Sequence, residues 1–450
     1  MVKIPEKAPD WKNIVKKDFK KIFKFFQIPE IQSLIEKSDQ LYYYWDKVRS
    51  QPLSTEFNRE EVWAFIRLRR HMNSTEVVVK DINKRPFTFW LTDDMQEELH
   101  LIDQNTGGNL ALRDPGNEMR ASARYMISSL MEEAITSSQI EGAVSTIKEA
   151  KKMLLEKRKP KNKSEQMIYN NFITMQSIKD FCKKDLSIEL LLQLHVLITK
   201  DTLDAKEDEG RFRKSLDNVT VATTYGEVLF TPPPAEEIQE RLEALIFFAN
   251  DTKNKPFIHP VVKAIILHFW MAYLHPFTDG NGRLARTLFY WYMLKHGYWL
   301  FEYTSISKTI LKRTSKYANA YLYSEHDDND LTYFIHFHIE VIIDAAEELK
   351  KHIQIEQEKN HRILAEIAEY PDLNVRQTRI IQHIMSHPHD ILTIKFHQNI
   401  NNIVYQTART DLLDLEKRGW LKSVKKGKTF YFVPNDNLWE KIEKRKIPDG

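Results

Sequence analysis

A single cysteine, Cys182, stands among 450 residues, so the chain has no pair with which to close an internal disulfide. That scarcity suits a reducing cytoplasm, and Cys182, beside Phe181, reads as a small core residue. Glycine is scarce too, with 12 in the chain; with abundant Leu, Ile, Lys and Glu this favours a mainly α fold. Excess charge is almost absent, because 66 Lys and Arg against 63 Asp and Glu leave +3. Such balance does not mark the whole chain as a nucleic-acid or membrane binder, although a local basic patch is compatible with it. The most apolar segment, residues 261–274, is too short for a bilayer and carries Lys263, and the N-terminal residues lack the apolar core of a secretory signal. The expectation is a soluble cytoplasmic protein with no membrane partner, of roughly two to four domains and without internal repeats.

What is present is helical periodicity with clear punctuation. Helices are expected around 31–37 and over 57–70 after Ser54-Thr55, with the run Tyr42-Tyr43-Tyr44-Trp45 packing against the next domain. A turn-rich break covers 103–115, including Gly107-Gly108. A helix from Met119 should stop near Glu141-Gly142, and another should start at Thr146, with Glu149 completing a capping box. Further helices are expected over 166–182 and 187–200, a β-hairpin over 218–230 around Tyr225-Gly226, and a new helix from Ala235-Glu236-Glu237. Residues 260–274 are apolar nearly all round and predict a buried central helix; 283–296 predict the helix after it, closed by Gly297. A charged run over 340–369 leads to three short helices (375–386, 394–401, 405–418) and two strands (420–424, 429–433), the pattern of a winged helix-turn-helix. The expected division is 1–90, an N-terminal helical region; 91–345, the core; 346–370, a connecting helix; and 371–450, the winged helix.

The densest chemistry lies in His275-Pro276-Phe277-Thr278-Asp279-Gly280-Asn281-Gly282-Arg283-Leu284-Ala285-Arg286. A helix end, a glycine-rich bend and a helix start follow one another there. Unpaired N–H groups and the positive end of a helix dipole favour an anion at such a place. Arg283 and Arg286 share one face of the first turn, Asp279 offers a hard oxygen for Mg²⁺, and His275 is placed to take a proton from a hydroxyl. Together they form a minimal kit for transferring a phosphate-containing group.

The run resembles the motif of Fic domains, H-x-F-x-[D/E]-G-N-G-R-x-x-R, at every specified position. Fic domains are mainly helical enzymes that typically transfer AMP from ATP to a hydroxyl of a target protein. The resemblance implies His275 as general base, Phe277 as the anchor of the loop, and Asp279 as the Mg²⁺ ligand. It implies Gly280, Asn281 and Gly282 around the α-phosphate, Arg283 on the β-phosphate and Arg286 on the γ-phosphate. It also makes 218–230 the family's flap, which pairs with the target backbone as an added strand, with Gly210-Arg211-Phe212-Arg213 leading into it. Ser137-Ser138-Gln139-Ile140-Glu141-Gly142 fits the Fic inhibitory pattern [S/T]-x-x-x-E-[G/N]. A carboxylate at a helix C-terminus is disfavoured by the dipole and calls for a cation. The resemblance supplies Arg286 as that partner, with Ser137 one turn back to steady Glu141, as in the second of the three Fic inhibition classes.

The expected activity is therefore adenylylation of a Ser, Thr or Tyr on a target protein or on the chain itself, restrained by Glu141. De-AMPylation, or a donor other than ATP, stays open because a phosphate cradle does not name the attached base. A homodimer also stays open. The rival reading is a nucleotide-sensing DNA-binding regulator. It rests on the third helix at Tyr405–Thr410 with Arg409, and on Lys422, Lys425, Lys426 and Lys428; Asp411, Asp414 and Glu416 weigh against it. His336 and His338, two apart, make a poor metal pair, and Tyr317 and Tyr321 read equally as adenine-stacking or core aromatics.

Overall fold

The computed structural model describes residues 4–106, 118–222, 226, 228–251, 253, 256–368, 372–386, 392–426, 429–435 and 438. The turn-rich stretch after Thr106, Tyr225 and Lys428 lie outside them. The chain is mainly helical and forms two compact units, Met1–Glu347 and Glu348–Gly450.

At the centre of the first unit lies the helix Pro260–Leu274, in which every residue except Pro260 and Ala272 is buried. Pro260 occupies a first-turn position, where its missing N–H costs nothing, and the His259 ring accepts from the Val261 amide. The helix Asn281–Lys295 packs directly against it, burying Leu284, Leu288, Phe289 and Trp291 among others. Lys263, the charge inside the apolar rod, survives burial by donating to Asp251 O at 2.6 Å.

The helix Glu118–Ile140 packs on Lys163–Phe181 and on Ile306–Lys312. Its buried Glu133 accepts from Tyr290 Oη (2.7 Å), Ser305 Oγ (2.9 Å), the Ser307 amide (3.1 Å) and Ser307 Oγ. A buried carboxylate with four donors pins this helix in register with the central pair.

The N-terminal residues share the same apolar cluster, which runs from Trp11 to Ile342. The aromatic run does pack across the unit: Tyr44 stacks on Tyr323 (4.2 Å), and Tyr42 donates to Asp330 (2.7 Å). Arg67 pairs with Asp327 (2.9 Å) and Asp330 (2.7 Å) nearby. Helix Arg59–Asn73 is capped by Asn58 and not from Ser54-Thr55, because the Asn58 side chain accepts from the Glu60 amide. A hairpin absent from the sequence reading, Thr75–Lys80 with Pro86–Phe89, follows it. Its signal was there in the β-branched alternation of Thr75-Glu76-Val77-Val78-Val79.

Thr146 caps Ile147–Leu155, accepting from the Glu149 amide at 3.2 Å. The expected hairpin at 218–230 appears as two short strands, Val221–Ala222 and Val228–Phe230, paired antiparallel. The charged run expected from 340 belongs to a longer helix, Thr332–Ala368, whose start is fixed by Asp330 accepting from the Thr332 amide (3.0 Å).

The second unit holds helices Val375–Ser386, Ile394–Asn401 and Tyr405–Lys417. They adjoin a three-stranded antiparallel sheet in the order Leu392–Thr393, Thr429–Pro434, Leu421–Lys426. Ile380, Ile384, Leu412, Leu415, Trp420 and Phe432 fill its core. The edge strand Leu392–Thr393 was not legible, since two residues carry no periodicity.

Candidate active site

The central helix ends at His275, whose φ of 48° places it in the left-handed region. Helices commonly stop this way, though usually on glycine. The His275 ring bonds Ala272 O through Nδ1 at 3.1 Å. A carbonyl only accepts, so Nδ1 carries the proton and Nε2 keeps its lone pair. Burial lowers the His275 pKa below the usual imidazole value and Arg213 adds to this, while Ala272 O, Glu141 and Asp279 oppose it. A neutral imidazole with Nε2 as acceptor is the form a general base needs.

The loop beyond is fixed from beneath. Phe277 is fully buried and its ring stacks on His195 at 3.7 Å and 7°. Asn281 donates from Nδ2 to Phe277 O (2.9 Å) and accepts at Oδ1 from the Phe277 amide (3.0 Å). Its side chain thus staples the loop, and what it can offer an anion is its backbone N–H. Gly280 has φ 83°, and a Cβ there would lie 2.7 Å from Thr199 Cγ2. Gly282 is constrained differently: a Cβ would fall 2.1 Å from Glu141 Oε1. Glu141 therefore lies directly over the glycine that opens the helix.

Both arginines of the motif are buried. Arg283 donates from Nη1 to Ile198 O (3.1 Å), while its Nε and Nη2 have no hydrogen-bond partner. Asp279 Oδ2 stays 3.7 Å from that Nη2. Burial lowers the Arg283 pKa, against the pull of Asp279 and Glu141. A buried guanidinium with unused donors beside a helix N-terminus is poised for an anion.

Arg286 is committed. It donates from Nε to Ser137 Oγ (2.8 Å) and from Nη2 to Ser137 O (3.0 Å) and Glu141 Oε1 (2.8 Å). Burial works against ionisation of Glu141, but the charge and hydrogen bond of Arg286, followed by Arg283 and His275, hold its pKa below the usual value. One detail differs from expectation: Ser137 holds the arginine and not the glutamate. The helix end at Ile140 points the Ser137 carbonyl and hydroxyl at the guanidinium together.

Asp279 is about half exposed, at 48%, and its Oδ1 accepts from the Gly280 amide. No group of three or more His, Cys, Asp or Glu suited to a metal occurs among the described residues. Tyr317 and Tyr321 are partly buried and pack on Phe334 with their hydroxyls 3.3 Å apart. His338 is buried and bonds Phe334 O.

Sequence reasoning missed two residues. His195, inside the leucine-rich helix Ile188–Thr199, accepts from the Gly210 amide at Nδ1 (3.0 Å) and meets Asp279 O at Nε2 (3.0 Å). Burial lowers its pKa to about 4, so it stays neutral near pH 7 with Nε2 as the donor. Arg213 bonds His275 O at 2.7 Å. No local pattern marks His195; Arg213 stood within Gly210-Arg211-Phe212-Arg213 but carried no role of its own.

The fold and site define a class: a helical domain built on an anion-seeking loop between two buried helices, with a carboxylate closing it. Residues 185–293 match the Fic/DOC family, and the chain carries a Fic domain. Protein adenylyltransferase fic-1 of Caenorhabditis elegans is 34% identical over 116 residues, which are 25% of this chain and 20% of the relative. Protein adenylyltransferase and cysteine protease IbpA of Histophilus somni is 32% identical over 126 residues, 27% of this chain and 3% of that protein. The chain thus spans about a fifth or less of these relatives' length. The crystal structure of a Fic family protein from Desulfovibrio desulfuricans G20 superposes with a TM-score of 0.50 at 20% identity, covering 76% of this chain and 95% of that one. That likeness is one of fold.

Proposed function

We propose that the chain is a protein adenylyltransferase that transfers AMP from ATP to a Ser, Thr or Tyr hydroxyl of a target protein or of itself, and that Glu141 restrains it. The observation that carries this reading is Arg283, buried beside the loop with Nε and Nη2 unpartnered. A phosphate supplies the acceptors they lack.

In this reading the target hydroxyl oxygen attacks the α-phosphorus, the bond to the β-phosphate oxygen breaks, and pyrophosphate leaves. His275 Nε2 receives the hydroxyl proton. The backbone amides of Gly280, Asn281 and Gly282 hold the α-phosphate, Arg283 the β-phosphate, and Arg286, once released from Glu141, the γ-phosphate. Asp279 fits Mg²⁺ in donor type: one exposed hard oxygen leaves most positions to phosphate and water, which suits a small, strongly hydrated cation. Bound there, Mg²⁺ would neutralise phosphate charge. The flap strands Val221–Ala222 and Val228–Phe230 would pair with the target backbone. The working division is an N-terminal region to residue 90, a Fic core over 91–345, a connecting helix and a winged helix from 371, in a cytoplasmic setting. Among the described residues no helix is long and apolar enough to cross a membrane.

Arg283→Gln tests the cradle. ATP binding by calorimetry should weaken roughly 10- to 150-fold, the worth of about 1.5–3 kcal/mol for charge-assisted bonds. Unaltered affinity removes Arg283 from the site. The mass added to a labelled target distinguishes AMP from another donor's group, and loss of AMP from a pre-labelled target marks the reverse reaction.

A second reading has its own observation. The acids that weigh against DNA binding by the third C-terminal helix are each engaged by a partner within the unit. Asp411 is buried and accepts from Arg376 (2.7 Å) and Asn374 (3.2 Å). Asp414 accepts from Gln377 (2.7 Å), and Glu416 from the Ser423 amide (2.9 Å). Tyr405, Gln406, Arg409 and Thr410 stay exposed on that helix, as do Lys422 and Lys425 on the neighbouring strand. This favours a duplex-DNA partner for the second unit, with the Fic domain sensing nucleotide. Fluorescence anisotropy with a DNA duplex should show binding that falls with salt and weakens in Arg409→Ala. Salt-independent or absent binding retires the reading.

A further inference from the structure

We infer that Arg213 is a positioning residue that ties the general base to the foot of the flap; this rests on the adenylyltransferase reading above. The Arg213 guanidinium donates from Nε to His275 O at 2.7 Å, and from Nη2 to Leu274 O at 3.3 Å and to Pro233 O. Its backbone amide donates to Pro276 O at 2.9 Å. Three consecutive carbonyls at the end of the central helix therefore find their donors in this one residue. The last carbonyls of a helix need such partners and favour a cation. His275, in a left-handed conformation costly for a non-glycine residue, depends on that support to keep its ring bonded to Ala272 O.

The same guanidinium closes the flap. Arg213 precedes the first flap strand, Val221–Ala222, and Pro233 follows the second, Val228–Phe230. One side chain thus joins both feet of the hairpin to the peptide that carries the base. His195 adds a second tie from the same segment, linking the Gly210 amide to Asp279 O beneath the stacked Phe277 ring. A target strand added to the flap is accordingly held at a fixed distance from His275 Nε2. The charged and titratable groups around His275 are Arg213, Glu141 and Asp279, on three separate segments. Arg213 touches neither the phosphate cradle nor Arg286, so it acts through His275 and not through nucleotide.

The test uses the full chain carrying Glu141→Gly, with Arg213→Lys and Arg213→Gln added separately. Lysine keeps the charge but has no planar fork to reach several carbonyls at once. Both variants should bind ATP within about twofold of their parent and leave the KM for ATP unchanged. kcat should fall about 100-fold, the scale of a misplaced catalytic group. The nitrogen NMR signals of His275 should change from the single tautomer protonated at Nδ1 to a mixture. A kcat within about twofold of the parent in both variants, or an unchanged His275 tautomer, overturns the inference. If Arg213→Gln does not fold, Arg213→Lys decides alone. If the Glu141→Gly parent neither binds nor consumes ATP, the adenylyltransferase reading falls, while the tautomer measurement still tests the tie, since it needs no nucleotide.

Discussion

AMP transfer should rise about 5- to 150-fold in Glu141→Gly, the range of a coupling free energy of roughly 1–3 kcal/mol between a restraint and a site. Glu141 Oε1 is 2.8 Å from Arg286 Nη2 and lies against Gly282, so one carboxylate occupies both the distal cation and the mouth of the cradle. Removing it opens both. The variant has a second signature. Without Glu141, Arg286 stays buried on Ser137 with its main counter-charge gone. The nucleotide-free protein should lose about 1–3 kcal/mol, less than for a fully buried pair because Glu141 is a quarter exposed. Saturating ATP should return about 2.7 kcal/mol at a hundred times Kd. Thermal melts with and without ATP therefore separate further in the variant than in the parent. Equal transfer rates and equal ATP shifts in the two proteins would end the autoinhibition account. Mild acid is no substitute for the mutation: the Glu141 pKa is depressed, so the pair is intact above the ordinary carboxylate value and breaks only as pH falls through the lower one. The ratio of variant to parent activity should stay level from about pH 6 to 8.

His275→Ala should lower transfer by about 10²- to 10⁴-fold, the usual contribution of a general base, and leave ATP affinity within a few-fold. The two effects separate because His275 makes its bonds to Ala272 O and Arg213, and none to the arginines of the cradle. In the Glu141→Gly background the acid limb of kcat should lie below the ordinary imidazole value, since burial depresses the His275 pKa. Labelling of a target by His275→Ala at the parental rate would remove the base from its role.

How much of this was legible in the chain depends on the kind of signal each part carried. The central helix was read at the residues it occupies, Pro260–Leu274, because an all-round apolar run bounded by proline and a glycine-rich bend has few other solutions. Helices Val375–Ser386 and Ile394–Asn401 were equally plain. The hairpin Thr75–Lys80 with Pro86–Phe89 was lost among helical neighbours. At the site, sequence order supplied His275, Asp279, Arg283 and Arg286, which lie within one bend, and it proposed Glu141 from a separate pattern. It gave Ser137 to Glu141 where the structure gives it to Arg286, and it did not foresee that the Asn281 side chain braces the loop, since both depend on which atom faces which.

The sequence by itself determined the mainly helical character, the position of the anion-seeking bend and the residue types that can do chemistry there. Those follow from periodicity, glycine placement and short-range spacing, which a linear chain encodes directly. Only the tertiary structure decided that Glu141 covers Gly282, that Arg283 is left with unused donors, and that His195 and Arg213 brace the loop from below. These are contacts between residues 15 to 149 positions apart, such as the His195 ring with the Gly210 amide and Ser137 Oγ with Arg286. Their existence depends on how buried helices pack, and no local pattern records that.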